Sequence, residues 1–334
     1  MRPDHFAARP IARRRFIAIM AAAAASPALP RFARADELPT IRWEGIVLGA
    51  ASSLTLQHPD ETEARSAIEA CLAEAARLEG AFSLFRPDSA LARLNAEGRL
   101  EDAPMDLRIL MAEALRLAEI SDGAFDPTIQ PLWALYAAHF SRPDAAPEGP
   151  PAAAITATRE LVDWRGIRIE GGSIRLGKPG MAVTLNGIAQ GYITDRVGDL
   201  LRARGFSHVF IDLGEELALG SKADGSPWRV GIADPSRPST ALINVDLSDG
   251  AMATSGSYGF SFDPAGRFGH IIDPGTGETA SRWASVTVLA DNATTADGLS
   301  TALSVLPASA APALVGDRAR LFVVPVGAGE GYWL

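Results

Sequence analysis

The sequence holds a single cysteine, Cys71, in 334 residues, so no disulfide forms within the chain. Cys71 sits in "AIEACLAEAARLEG" at helical spacing among apolar residues, which assigns it to core packing. Clustered cations are missing beyond residue 35. With 31 Lys and Arg against 40 Asp and Glu the net charge is -9, which argues against a nucleic-acid surface, since phosphate binding relies on grouped Lys and Arg. Past the first 35 residues there is no internal repeat, no low-complexity tract, and no apolar run of the roughly 20 residues that a membrane helix needs. What is present is a globular composition, 47% hydrophobic and 21% charged, long enough for one large domain or two average ones.

The amino terminus reads as an address. "ARRRFIAIMAAAAASPALPRFARA" combines a basic start, an apolar stretch from Phe16 to about Leu29, and the small-residue end Ala33-Arg34-Ala35, the pattern of an exported precursor. Arg13-Arg14, followed by Arg15 and Phe16, fits a twin-arginine signal over residues 1–35 and a periplasmic destination. An uncleaved signal anchor is the alternative.

The rest, residues 36–334, reads as α+β. Two short strands flank Gly49 and Ala50, and amphipathic helices follow over "DETEARSAIEACLAEAARLEG" and "PMDLRILMAEALRLAEISDG". Residues 141–155 are a Pro/Ala-rich surface connection, either a lobe boundary or a long loop. "IRIEGGSIRLG" signals a hairpin. "VTLNGIAQGYITD" starts like a strand, turns through Gly187 and Gly191, and continues as a helix from about Gly187 to Arg204. Strands at "HVFIDLG", "WRVGIAD", "ALINVDLS", "SVTVLA" and "ARLFVVPV", with a helix over "NATTADGLSTALSVL", complete the order.

Polar motifs are set into this frame. In "GAFDPTIQPLW", Asp126 precedes Pro127, which turns it from helical geometry toward a cap or turn. "ATSGSYGFSFDPAGRFGHIIDPGTGE" offers a polar turn at Thr254 to Ser257, then His270, either a hydrogen-bonded structural residue or a proton acceptor. Asp297 and Thr301, four apart, share a helix face. Such a pair is either a local hydrogen bond or part of an oxygen shell for a hard cation such as Mg2+. The turn between Val183 and Tyr192 carries no charge, yet a strand, a glycine turn and a helix start are a common grip for anions.

Five of these motifs, "GAFDPT", "NGIAQGY", "ATSGSY", "HIIDPGTG" and "SVTV…TTADGLSTAL", occur in the order and spacing of the ApbE family, the FAD:protein FMN transferases, and the resemblance runs from about Gly45 to the last strand. It implies an ApbE-like α+β fold, with mixed or antiparallel sheets and packed helices around a flavin-binding cleft. It also implies bound FAD, Mg2+, and transfer of FMN to a threonine or serine of another protein with release of AMP. Carried over by position, Leu48 falls where the family usually has a methionine against the flavin dinucleotide and Phe85 where it usually has a tyrosine, while Ala124, Phe125 and Asp126 match the stretch on its adenine side. His270 lies close to the reacting phosphate as the general base, and Ile271 beside it binds the cofactor. Gly187 (through its carbonyl), Asp297 and Thr301 bind the metal.

The chain departs from the family where that pattern resembles D-L-G-G-I-A-K-G-Y, with Thr184, Asn186 and Gln190 in place of Asp, Gly and Lys. Thr184 and Gln190 retain hydrogen-bonding capacity for the flavin dinucleotide without charge. "LNGIAQGY" with a twin-arginine signal resembles the NosX branch, periplasmic helpers of nitrous-oxide reduction, which implies a NosR-like membrane acceptor and a denitrification setting. Hydrolysis of FAD to FMN and AMP, and FAD binding without catalysis, are the two rival functions.

Overall fold

The computed structural model describes residues 38–316 and 319–334. The export signal expected over residues 1–35 lies outside them. Strands β1 (Thr40–Val47) and β2 (Ala50–Gln57) form a hairpin closed by Leu48 and Gly49, both left-handed at φ 54° and 80°. Glycine takes that backbone freely, but leucine does so at a cost of order 1–3 kcal/mol. There follow α1 (Glu61–Phe82), α2 (Ala90–Glu97), β3 (Arg99–Leu100), α3 (Met105–Ile120), α4 (Gln130–Phe140), α5 (Ala152–Arg159), β4 (Arg168–Glu170), β5 (Ser173–Arg175) and α6 (Ala189–Ala203). The second half runs β6 (Val209–Asp212), β7 (Glu216–Leu219), β8 (Trp228–Asp234), β9 (Arg237–Leu247), β10 (Gly250–Gly256), β11 (Trp283–Ala290), α7 (Ala293–Val305), α8 (Ala311–Val315), β12 (Ala319–Pro325) and β13 (Tyr332–Trp333).

The main sheet has the order β1-β2-β6-β7-β10-β11-β12-β13 with antiparallel neighbours throughout. Side chains alternate across it. Leu54, Ile211, Leu217, Ala253, Val286 and Val323 face the core shared with α1, α3, α6 and α7. Ala218, Met252, Phe322 and Val324 face the β8–β9 ribbon through Trp228, Val230, Ile232 and Val245. A third, smaller core joins Leu132 and Tyr136 of α4 to Ile272. Cys71 is buried in the main core, and burial pushes its thiol up to about 12, as expected of a packing residue. Among the described residues no helix is long and apolar enough to cross a membrane.

Several local expectations change. Residues 181–185 form no ladder, because the Asn95 side chain receives the Val183 N–H and donates to the Val183 carbonyl in place of a neighbouring strand. Helix α6 therefore starts at Ala189 rather than Gly187. Thr254 to Gly256 are the end of β10, not a turn, since register with β11 pairs Thr254 with Thr287. The last residues of the 141–155 connection belong to α5.

Helices α6 and α7 are joined unusually closely. Asp195 of α6 receives the backbone N–H groups of Ala293 and Thr294, each at 2.8 Å, along with the Thr294 hydroxyl, and so caps α7 from across the interface. One turn earlier, a Cβ on Gly191 would fall 2.2 Å from the Ala293 carbonyl oxygen and 2.9 Å from Asp297 Cβ. Gly191→Ala is expected to cost about 1–3 kcal/mol by overpacking. Urea unfolding would show it as a lowered midpoint; an unchanged midpoint would contradict this close fit.

Candidate functional site

The α6–α7 interface opens at one end onto a group of oxygen atoms. Asp297 is 4% exposed and accepts the Gly191 N–H at 3.0 Å. Burial, with the Asp195 charge in support, pushes its carboxyl up to about 7 against the pull of that hydrogen bond. One turn further along α7, the Thr301 hydroxyl lies 3.4 Å from the Gly187 carbonyl oxygen, to which it donates, and 3.3 Å from Ser255 Oγ of β10. Ser255 Oγ is also 2.8 Å from Ser300 Oγ. Gly187 has no room for a side chain here, since a Cβ would meet Thr301 at 2.9 Å. The three residues that the sequence nominated for a metal, Gly187, Asp297 and Thr301, are thus brought together.

Sequence reading missed Glu215, in the turn between β6 and β7. It is 7% exposed, and its Oε2 has no hydrogen-bond partner. Burial first, and then the charge of Asp297, hold its carboxyl well above the usual range. An acid followed by a second one, Glu216, in a strand-to-strand turn reads as a solvated charge pair; only the fold reveals that Glu215 is buried. Among the described residues no three Asp, Glu, His or Cys side chains form a metal cluster. The donors are instead a carboxylate, hydroxyls and a carbonyl, with an orphaned carboxylate oxygen nearby, an all-oxygen set that suits a hard divalent cation.

The uncharged stretch is occupied by structural work. Thr184 donates its N–H to the Pro127 carbonyl and receives the Asn186 N–H on its hydroxyl. The Gln190 amide donates to the Leu213 carbonyl at 3.2 Å and lies against Gly214, whose left-handed φ of 99° and absent Cβ leave it room. The N–H groups of Ile188 and Ala189 bond to the Leu185 carbonyl, and that of Gly191 to Asp297. A bare anion nest at this helix start, as the sequence suggested, is therefore largely taken up internally.

A cavity of about 330 Å³ is lined among others by Ala124, Asp126, Trp164 and the Asp273-Pro274-Gly275 turn, with Val305 and Leu306 at the end of α7; neither the oxygen cluster nor His270 lines it. That volume falls at the small end of ligand pockets. Asp126 serves as a cap: it accepts from the Thr128 N–H (2.8 Å) and hydroxyl (2.6 Å) and from the Trp164 N–H (3.2 Å), tying the cavity walls together. Burial raises its carboxyl, opposed by the bonds from Thr128. Phe125 is buried in the core beneath. Trp164, also missed in the sequence, brings a buried indole N–H without a partner.

His270 lies in a loop between the bridges Ser261–Gly269 and Ile272–Thr279, beside Gly259. Its Nδ1 is 3.0 Å from the Phe260 carbonyl oxygen. A carbonyl only accepts, so Nδ1 carries the proton and Nε2 presents a lone pair. The adjacent Ile271 receives the Ala280 N–H on its carbonyl. Leu48 packs on the core from the strained hairpin tip, whereas Phe85 stands 78% exposed, with its backbone N–H on the Ser83 hydroxyl.

The ApbE family matches residues 48–323. The chain is 36% identical to the FAD:protein FMN transferase of Vibrio cholerae over 67% of this chain and 69% of that protein. It is 35% identical to that of Treponema pallidum over 73% and 72%. Among solved structures, the ApbE protein of Thermotoga maritima superposes with a TM-score of 0.78 at 28% identity, covering 88% of this chain and 97% of that one. The apo flavinyl transferase ApbE of Pseudomonas stutzeri gives 0.74 at 31%, covering 87% and 93%.

Burial holds the His270 imidazole below its ordinary 6.5, so the neutral ring with its free Nε2 persists below that pH. An NMR titration of His270 should show a midpoint under 6.5; a midpoint at or above it would remove the burial argument.

Proposed function

This chain belongs to the ApbE family, and on that footing we infer that it is an FAD:protein FMN transferase, moving the FMN half of FAD onto a serine or threonine hydroxyl of an acceptor protein. The observation that carries this reading is the convergence of Asp297, Thr301 and the Gly187 carbonyl on one oxygen-lined spot. Cavity and histidine support it. The adenine half suits the cavity of Ala124, Asp126 and Trp164, where the unpartnered indole N–H offers a donor to a ring nitrogen. Leu48 and exposed Phe85 are the apolar surfaces for the flavin ring, and Ile271 is the apolar neighbour of His270. Thr184 and Gln190 act on the dinucleotide indirectly, by fixing the walls around it.

The chemistry follows from charge. The acceptor hydroxyl oxygen bonds to the FMN phosphorus while the bond from that phosphorus to the bridging oxygen breaks. AMP departs with that oxygen, and a phosphodiester joins FMN to the acceptor. His270 Nε2 receives the hydroxyl proton. Mg2+, when bound, neutralises the pyrophosphate charge. Asp297, Thr301 and the Gly187 carbonyl would hold it. We further propose a periplasmic setting reached by the twin-arginine route and a NosR-like acceptor in nitrous-oxide reductase maturation; Arg13-Arg14-Arg15-Phe16 and "LNGIAQGY" support both.

Incubation with FAD, Mg2+ and a NosR-type acceptor domain should place covalent FMN on the acceptor, with AMP released in equal amount. Free FMN with AMP would mean a hydrolase, and intact bound FAD a binder. Asp297→Asn keeps an acceptor for the Gly191 N–H, so the fold persists, and transfer should fall by about 100-fold or more. Unchanged transfer by a folded Asp297→Asn protein would remove Asp297 from the metal role.

A further inference from the structure

The turn between β6 and β7 places Glu215 beside the start of α6. Leu217 and Leu219 of β7 face α6, where a Cβ on Gly198 would meet Leu217 at 2.6 Å. Glu215 lies in the turn just before that strand, beside Gly214, against which the Gln190 side chain of α6 packs. Its neighbour Glu216 points to the other side, opposite Asp212 across the β6–β7 pair. Three observations converge on Glu215. Gln190 ties the start of α6 to Leu213 and Gly214, directly before it. The next residue of α6, Gly191, holds Asp297. The Thr254 N–H lies against the Glu215 carboxylate, and the following residue, Ser255, reaches Thr301. Two buried carboxylates, Glu215 and Asp297, therefore feel one another, and one Glu215 oxygen is left with no donor. A buried charge without a partner is expensive, and native structures resolve such groups by pairing or by a cation.

We propose that Glu215 is a second carboxylate of the divalent-cation site, which it forms jointly with Asp297, Thr301 and the Gly187 carbonyl. This rests on the cation reading above and adds a charged ligand to it. With two carboxylates the site holds the cation through the protein alone, before any dinucleotide phosphate arrives, and the added negative charge offsets the lack of an acid at Thr184.

The test uses the full chain without FAD and Mn2+ as the probe, with binding read by electron paramagnetic resonance and melting followed with and without EDTA. Glu215→Gln keeps the shape of the side chain. It should weaken Mn2+ binding at least about 10-fold, reduce the rise in melting temperature that Mn2+ produces, and melt no earlier than wild type in EDTA. Unchanged Mn2+ affinity in Glu215→Gln, with affinity lost in Asp297→Asn, would overturn the role of Glu215 and leave the cation site intact. Wild-type affinity in both variants would overturn the cation reading itself. Earlier melting of Glu215→Gln in EDTA would also count against the proposal, because a carboxylate awaiting a cation should burden the metal-free fold.

Discussion

The clasp between α6 and α7 is the constraint on which the site depends. Asp195 caps the start of α7 with three hydrogen bonds, and Gly191 gives its N–H to Asp297 from within van der Waals contact. Without the cap, the first N–H groups of α7 would lack acceptors in a buried setting, a cost of order 1–3 kcal/mol for each. Without glycine at position 191, the helices would stand too far apart for the Gly187 carbonyl to reach Thr301. The same few residues thus stabilise the domain and set the spacing of the oxygen atoms at the proposed site.

The electrostatics divide the work. Acidic groups gather where α6 and α7 meet the β6–β7 turn, and burial raises both Asp297 and Glu215. The histidine lies in a separate loop, where burial acts oppositely and keeps the ring neutral. A transferase that moves an anionic group from one oxygen to another needs both conditions at once: strong demand for a cation on one side and a proton acceptor that is not itself cationic on the other.

Much of this was legible in the sequence because several signals were strictly periodic or chemically singular. The hairpin at Gly171 and Gly172 and the helix over Ala293–Val305, with Asp297 and Thr301 on one face, rest on local rules and hold in the structure. What escaped depended on contacts far along the chain. Asn95 replaces a strand partner for Val183 from 88 residues away. Asp195 looked like an ordinary helix residue but acts as the cap of another helix. Glu215 and Trp164 carried no motif at all. The missing charges at Thr184 and Gln190 were plain to see, whereas their occupation with Asn186 and Leu213 was not.

The distance in sequence between the two halves of the clasp has a kinetic consequence. Asp195 meets Thr294 across 99 residues, so the loop that joins them must close before α7 has a satisfied start or Asp297 a partner. Contacts of that separation form late and slowly. A chain still emerging during synthesis, with β1 to β9 already paired, would hold neither the oxygen cluster nor the capped helix. The oxygen cluster and the capped helix therefore exist only once that 99-residue separation has been closed, which makes the site a property of the whole domain rather than of any one segment.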